Sequence, residues 1–298
     1  MRLVTFSRQR RHRLGVLIDG DRAIVDVAKA DRTLPQDMNA VIAAGPGMLR
    51  KIARAVKAAG PRARVARNTV TLLAPVPEPR RNILCVGLNY RTHANEFDKS
   101  GFDAGKAAVS EPKFPIIFTK APGTVIGPGA SIPAHLDYSR STDYEVELGV
   151  VIGKKGRGIP KSKAFDHVFG YTIINDVTAR DIQRDHNQWF LGKSIDGFCP
   201  MGPYLATKDE IGDIRTLWIE TKVNGEVRQR AQVSDLIFDV PTLIKTISRV
   251  MTLIPGDIIA TGTCQGVGIG FDPPKYLKKG DTVTLSIDKL GVLENKVA

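Results

Sequence analysis

The sequence predicts an α+β protein that is mainly β, with a small α/β domain at its N-terminus. Short apolar runs separated by turns recur along the chain. The 28 glycines and 18 prolines among 298 residues also favour a strand-rich fold with many loops. Three prolines between residues 75 and 79 predict a stiff, extended connector. We therefore expect two domains, at 1–74 and 80–298, on either side of that connector.

The N-terminal domain is predicted to combine short strands with one helix. Residues 2–6 and 14–27 have the composition of short strands around turns such as Asp19-Gly20-Asp21. Residues 36–58 carry apolar side chains at helical spacing and predict a helix, and 70–73 predicts a further strand. This order of elements indicates a small α/β unit.

The second domain is predicted to contain many strands and few helices. Asn224-Gly225 is a typical hairpin turn between two strands. Residues 97–113 are rich in glycine, lysine and alanine without a clear period, which predicts a mobile loop or lid. Strands are expected at 82–87, 115–120, 144–152, 168–175, 215–223, 257–261 and 282–287, and helices at 161–166, 178–185 and 239–251.

The positive charge is concentrated near the N-terminus. Residues 1–72 hold 15 Lys/Arg and 5 Asp/Glu, which accounts for +10 of the total net charge of +12. The sequence contains no zinc-finger pattern, aromatic ribonucleoprotein motif or clear helix-turn-helix, so no nucleic-acid partner is expected. We interpret the excess as a solvated basic face, with steering of acidic substrates as the alternative.

Membrane and secretory signals are also missing from the sequence. Every apolar run is shorter than the roughly 20 residues that span a bilayer, and the first residues lack the apolar region of a signal peptide. Cys85, Cys199 and Cys264 form neither a disulfide framework nor a Cys-x-x-Cys motif. We expect a cytoplasmic protein that does not contact a membrane.

Two glutamates, Glu145 and Glu147, lie in an otherwise apolar strand pattern. Alternation along a strand places both on one face, where two like charges beside a core are unfavourable without a cation between them. Asp176, which ends the predicted strand at 168–175, adds a third carboxylate. Such hard oxygen ligands suit Mg²⁺ or Mn²⁺. The alternative is an edge strand with two surface glutamates, and Asp176 as a helix cap.

Three further segments offer groups for catalysis. His93 and Glu96 are spaced to share one helical face, where the carboxylate can orient the imidazole as a base for water; a surface pair is the alternative. Lys193, in an apolar glycine-containing loop, could donate to an anionic oxygen or be solvated. Thr261–Gly268 could bind an anion through backbone N–H groups or be an ordinary turn. Cys264 is not expected to be a nucleophile.

Taken in order, these segments resemble the fumarylacetoacetate hydrolase family over roughly residues 80–290. One departure is Cys264, which stands where the family usually has proline. The matching segments are Gly87-Leu88-Asn89-Tyr90 with His93 and Glu96, Lys120-Ala121-Pro122 with Ile126-Gly127-Pro128-Gly129, Asp143-Tyr144-Glu145-Val146-Glu147-Leu148, Gly170-Tyr171 with Asn175-Asp176-Val177-Thr178-Ala179-Arg180-Asp181, the loop from Lys193 to Pro203, and Thr261-Gly262-Thr263.

The resemblance implies a mixed β-roll catalytic domain that is usually dimeric and holds Mg²⁺ or Mn²⁺, with Ca²⁺ as another ion that the site could hold. Carried over by position, Glu145, Glu147 and Asp176 are the expected metal ligands. His93 and Glu96 are the expected water-activating dyad, and Lys193 is the expected stabiliser of an oxyanion or enolate. The substrate-binding residues that it implies are Tyr90, Arg180, Gln183 and Thr263.

The resemblance also implies a reaction, which we expect to be hydrolysis of a carbon–carbon bond in a β-diketo or acylpyruvate-type 2-oxo acid. In that reaction the metal polarises the 2-oxo acid, His93 activates water and Lys193 stabilises the enolate. Decarboxylation of oxaloacetate and isomerisation of a 2-hydroxy-diene-dioate in aromatic catabolism remain alternatives. The expected partners are a small anionic 2-oxo acid and a second copy of the chain.

Overall fold

The computed structural model describes residues 1–8, 11–99 and 112–298. Residues 100–111 of the predicted lid lie outside these ranges. Among the helices of the described part of the chain, none combines the length and apolarity needed to cross a bilayer. The described residues contain both strands and helices, and the α+β class predicted from sequence is confirmed.

The strands are β1 Arg2–Arg8, β2 Arg11–Ile18, β3 Ala23–Asp26, β4 Arg64–Ala66, β5 Thr71–Leu72, β6 Ile83–Gly87, β7 Ile116–Lys120, β8 Val125–Ile126, β9 Thr142–Asp143, β10 Val146–Ile152, β11 Val168–Asn175, β12 Thr178–Ala179, β13 Cys199–Thr207, β14 Trp218–Val223, β15 Glu226–Gln232, β16 Ile258–Ala260, β17 Thr282–Ile287 and β18 Gly291–Lys296. The helices are α1 Val27–Ala30, α2 Met38–Ala44, α3 Pro46–Ala58, α4 Arg91–Lys99, α5 Arg180–Asp185, α6 Phe190–Lys193, α7 Lys208–Ile211 and α8 Val240–Val250.

A mixed sheet of 12 strands dominates the described residues. Its main path runs β4-β3-β2-β1-β13-β11-β10-β16-β6-β7, with β5 paired to β1 and β8 to β13. Most of its pairs are antiparallel, but β16 pairs with β6, and β13 with β8, in parallel. A second, four-stranded sheet has the order β15-β14-β17-β18. Strands β10 and β11 therefore lie deep inside the large sheet, where they can hold side chains away from water.

The N-terminal strands are continuous with this sheet. Strand β1 pairs with β13 through Arg2↔Ala206 and Leu3↔Leu205. Apolar side chains from the N-terminal helices, including Ile42 and Ile52, belong to the same buried cluster as Ile174 of β11. Backbone hydrogen bonds and a common core thus join the two regions, and the boundary near residue 75 stays a prediction.

Several predicted elements differ in detail from the observed ones. The helix predicted at 36–58 is two helices, because Gly45 adopts φ 69° between α2 and α3 and ends the first of them. The helix predicted at 161–166 is a 3₁₀ segment, Lys161–His167. Strand β10 begins at Val146, so Glu145 immediately precedes it. Strands β13 and β18 were not predicted, whereas the hairpin at Asn224-Gly225 joins β14 and β15 as expected.

We expect any larger residue at position 170 in β11 to destabilise the protein. A Cβ at this position would lie 2.0 Å from the carbonyl oxygen of Ala206 on β13, and backbone cannot easily give way. We expect Gly170→Ala to lower the free energy of unfolding by about 1–3 kcal/mol, the usual cost of overpacking. Gly60→Ala is the control, since its Cβ meets no atom within 4 Å. Denaturant unfolding measures both, and equal stabilities would contradict the packing at β11–β13.

Candidate active site

The three carboxylates predicted as metal ligands converge between β10 and β11. These strands are antiparallel, with Val146 opposite Asn175, so Glu145 precedes one strand where Asp176 follows the other. One carboxylate oxygen from each of Glu145, Glu147 and Asp176 lies within 4.8 Å of the others, and all three residues are buried. Because β10 lies between β11 and β16, the alternative of two surface glutamates on an edge strand is excluded.

Two lysines neutralise part of this cluster. Lys193 Nζ donates to Glu145 Oε2 and to Asp176 Oδ2, both at 2.8 Å. Lys120 Nζ donates to Asp176 Oδ1 at 2.7 Å. Both lysines are buried, so Lys193 is not a solvated loop residue. Burial alone would lower the pKa of Lys193, but Asp176 and Glu145 raise it overall, and the side chain stays cationic.

Arg180 adds a third buried cation at the start of α5. Its Nε donates to Asp143 Oδ2 at 2.8 Å, and its NH1 lies 2.7 Å from Glu145 Oε1. Asp143 also accepts the backbone N–H groups of Gly268 and Ile269. The NH2 group of Arg180 is buried and has no hydrogen-bond partner among the residues described. Arg180 thus fixes Glu145 and keeps one donor available.

The charges in this cluster are unevenly compensated. Burial by itself would raise the pKa of Glu145, but Lys193 and Arg180 lower it to about 2. Glu147 differs, because burial together with Asp176 and Glu145 raises its pKa well above the usual range. Its Oε2 accepts the N–H of Gly262 at 2.8 Å. Within the described ranges, no ion pair reaches Glu147. Glu147 is therefore the carboxylate that most lacks a cation.

The donor set fits a hard divalent cation. Three carboxylate oxygens within one ion's reach, on buried strand ends, match the oxygen-rich sites that Mg²⁺ and Mn²⁺ prefer. The four buried carboxylates, with Asp143 included, outnumber the three buried cations, so a divalent ion would leave the cluster weakly positive. Such a balance favours a bound anion.

The predicted dyad forms on α4. His93 Nδ1 lies 3.2 Å from Glu96 Oε2, and Glu96 Oε1 accepts the N–H of Gly266 at 2.9 Å. His93 is buried. A carboxylate on Nδ1 orients the ring and assigns Nε2 to proton transfer. The pair is therefore built into the fold, and the alternative of a solvated surface pair is excluded.

The cluster and the dyad meet at one partly open cavity, which has room of about 20 Å³ for the centre of a water-sized molecule. Its polar side is formed by side chains from the predicted site, and its apolar side by residues of β6, α4 and β7 together with the residue before α6. The lining residues are Val86, Gly87, Leu88, His93, Phe97, Phe118, Glu145, Glu147, Arg180, Gln183, Trp189, Lys193 and Thr263. This is little more than the room that one water molecule needs, so the cavity is narrow.

The four residues predicted to bind substrate do not all lie at the cavity. Arg180, Gln183 and Thr263 line the cavity, whereas Tyr90 is not among its lining residues. Tyr90 is buried, and its hydroxyl finds no partner among the residues described. Its assignment as a substrate ligand stays a prediction. Burial raises the pKa of Cys264 to about 12, which keeps it a thiol and agrees with its exclusion as a nucleophile.

Sequence reasoning assigned no role to three residues that support the site. Lys120 neutralises Asp176, and its place at the end of β7 in the Lys120-Ala121-Pro122 motif was the available signal. Asp143 anchors Arg180. Gln229 of β15 donates to Thr263 Oγ1 at 2.8 Å and accepts from the Val146 N–H at 3.1 Å. It therefore connects the segment Thr261–Gly268 to β10. Nothing in the local sequence indicated this contact across the fold.

Gly270 leaves the space that Glu96 occupies. A Cβ on Gly270 would lie 2.0 Å from Glu96 Oε1, 2.3 Å from its Cδ and 2.5 Å from its Cγ, so the Glu96 side chain would have to move to another position. We expect Gly270→Ala to fold normally but to move the carboxylate away from His93, with activity reduced by about 10-fold or more. Gly123→Ala, whose Cβ meets nothing within 4 Å, is the control. Steady-state kinetics measures the activity of both variants, and thermal unfolding measures their stability. Unchanged activity in Gly270→Ala would contradict the role of the dyad.

The fold and the site define a mixed β-sheet protein whose buried carboxylate centre can hold a metal and opens on a small polar cavity. A family model described as the C-terminal domain of fumarylacetoacetate (FAA) hydrolase matches residues 82–298. The chain belongs to the fumarylacetoacetate hydrolase family. The resemblance noted in the sequence is thereby confirmed.

Relatives in this family carry out different reactions. Oxaloacetate tautomerase YisK of Bacillus subtilis (strain 168) is 44% identical over 309 residues, with 100% of both chains covered. A solved fumarylacetoacetate hydrolase from Exiguobacterium antarcticum has 42% identity and a TM-score of 0.83, and the match covers 100% of this chain and 99% of that one. Maleylpyruvate hydrolase from Sphingobium sp. SYK-6, solved with manganese(II) and pyruvate, has 32% identity and a TM-score of 0.79, with the same coverage.

Proposed function

We propose that the protein is a divalent-metal-dependent enzyme that interconverts the keto and enol forms of a small 2-oxo diacid of the oxaloacetate type. One observation carries the proposal: His93, oriented by Glu96, lines the same small cavity as Glu145, Glu147 and Lys193. The similarity over the full length to an oxaloacetate tautomerase supports this choice of substrate class.

Glu145, Glu147 and Asp176 would hold the ion, and we propose Mg²⁺ or Mn²⁺. When bound, it supplies Lewis-acid polarisation of the 2-oxo acid. The fit rests on the oxygen donor set and on Glu147, which has no cationic partner within the described ranges. The manganese in the similar maleylpyruvate hydrolase supports the same assignment.

His93 is the proposed acid–base group. In the keto-to-enol direction, Nε2 accepts a proton from the carbon next to the 2-oxo group. The electron pair of the broken C–H bond forms the C=C bond, and the carbonyl oxygen takes the negative charge and then the proton that His93 Nε2 holds. The net change moves one proton from carbon to oxygen, so no water is consumed. Glu96 stabilises the imidazolium that forms in the first step.

Lys193 is the proposed stabiliser of the enolate oxygen. An ammonium group has three N–H donors, and Glu145 and Asp176 receive one each. The third remains for the substrate. Its fixed, buried position means that little reorganisation is needed when negative charge develops. Arg180 NH2, which has no partner among the described residues, is the proposed donor to a substrate carboxylate.

Hydrolysis of a carbon–carbon bond is the second candidate. The same dyad could activate water, as the sequence predicts, and the similarity to a maleylpyruvate hydrolase favours this chemistry. The two reactions differ in what they consume. Hydrolysis requires water and yields two products, whereas tautomerisation consumes no water and leaves the mass of the substrate unchanged.

Kinetics on both substrate types test the proposal. Enolic oxaloacetate is mixed with protein and Mg²⁺ or Mn²⁺, and the loss of enol absorbance is compared with the rate in protein-free buffer. Acylpyruvates and oxaloacetate are incubated in parallel, and products are identified by mass. We expect accelerated ketonisation without cleavage or loss of CO₂. Cleavage of acylpyruvates without ketonisation would favour the hydrolase, and inactivity in every assay would contradict both candidates. The homodimer and the cytoplasmic location stay predictions.

A further inference from the structure

The apolar wall of the cavity has a defined construction around Trp189. This residue immediately precedes α6, and its carbonyl accepts the N–H of Lys193 at 3.1 Å, one helical turn on. Residues four apart on a turn share a face, so the indole and the Lys193 side chain both line the cavity. Trp189 is half-buried, whereas Lys193 is fully buried. The indole therefore lies on the side of the cavity nearer to solvent.

Two neighbours fix the position of the indole. The ring of Phe118 packs edge-on against it, with centroids 5.2 Å apart, and Lys193 Nζ lies 5.1 Å from the Phe118 centroid. On the other side, a Cβ on Gly87 would lie 2.4 Å from Cζ3 of Trp189, so the indole rests directly on the Gly87 backbone. Lys193, Phe118 and Trp189 thus form a continuous layer from the carboxylate cluster to the solvent side.

We propose that Trp189, seated on Gly87 and Phe118, sets the length of the 2-oxo acid that the site accepts and restricts it to short substrates. The inference rests on the proposed function, because it takes the carboxylate cluster as the place where the 2-oxo acid end binds. A chain that extends from that end along this layer passes Lys193 and Phe118 and meets the indole. A longer acid would have to displace a ring that both neighbours hold in place.

Binding by the Mn²⁺-loaded protein tests this without relying on turnover. Pyruvate and its straight-chain homologues 2-oxobutanoate, 2-oxopentanoate and 2-oxohexanoate are titrated by calorimetry. For the wild type, we expect affinity to fall with chain length, by about 10-fold or more for each methylene that reaches the wall. For Trp189→Ala, the ratio of pyruvate to 2-oxohexanoate affinity should fall towards one.

Two matched variants test for a general disturbance of α6, which carries Lys193. Trp189→Phe keeps an aromatic ring and should retain most of the length preference. Gly87→Ala, whose Cβ would lie 2.4 Å from Cζ3 of Trp189, should displace the indole and change that preference while keeping tryptophan at position 189. Circular dichroism confirms that each variant is folded.

The outcomes separate the inference from the proposed function. An unchanged affinity ratio in a folded Trp189→Ala that still binds pyruvate would overturn the role of Trp189 alone. A wild type that binds no 2-oxo acid would overturn the inference together with the proposed function. A ratio that falls in Trp189→Ala supports the inference, even where the ketonisation assay is negative.

Discussion

His93→Ala is expected to lower kcat for the ketonisation of enolic oxaloacetate by about 10²–10⁴-fold, the range that a positioned acid–base group contributes. Glu96 holds Nδ1 of His93, which is the only histidine among the described residues that line the cavity. Stopped-flow measurement of the enol absorbance gives the rate.

The control for this variant is His135→Ala, whose exposed ring is not among the residues that line the cavity. Metal affinity should be unchanged in His93→Ala, because histidine is not part of the carboxylate cluster. Wild-type turnover in His93→Ala would remove it from the mechanism. A parallel loss of metal binding would show that the substitution acts through the fold.

Glu147→Gln is expected to separate metal affinity from stability. The amide keeps the shape and can still accept the Gly262 N–H, but it removes the carboxylate that no described cation neutralises. We expect Mn²⁺ affinity to fall by more than the roughly 10–100-fold that loss of an outer partner costs. The metal-free variant should be at least as stable as the metal-free wild type. Burial, Asp176 and Glu145 raise the pKa of Glu147 well above its usual range, which costs stability at neutral pH, whereas the amide does not titrate.

Calorimetric titration with Mn²⁺ and thermal unfolding without metal provide the two readings. Glu220→Gln is the control, since Glu220 pairs with Lys222 and Arg230 away from the cluster. A Glu147→Gln protein that binds Mn²⁺ as the wild type does would exclude Glu147 as a ligand. A large loss of stability would instead indicate a structural role for its charge.

Much of the site could be predicted because it lies in short, local patterns. Glu145 and Glu147 follow from strand alternation, and His93 and Glu96 from helical spacing. Spacing alone left a surface position open for both pairs. For the glutamates, the position of β10 between β11 and β16 excluded the surface alternative. For the pair on α4, the burial of His93 excluded it.

Other features depend on contacts that no local pattern records. Gln229 reaches Thr263 and Val146 from a hairpin far along the chain. The double role of Arg180 also becomes visible only when α5 packs beside Asp143 and Glu145. The break at Gly45 is different, since a glycine followed by proline at 46 is a local signal, but the apolar period continues across it.

The measurement that tests the central claim most directly is the ketonisation rate before and after removal of metal. The protein is treated with a chelator, freed of it, and shown by elemental analysis to contain no divalent metal. The account predicts that activity falls to the rate in protein-free buffer and returns on titration with Mg²⁺ or Mn²⁺. Full ketonisation activity in the verified metal-free protein would contradict a catalytic metal centre at Glu145, Glu147 and Asp176.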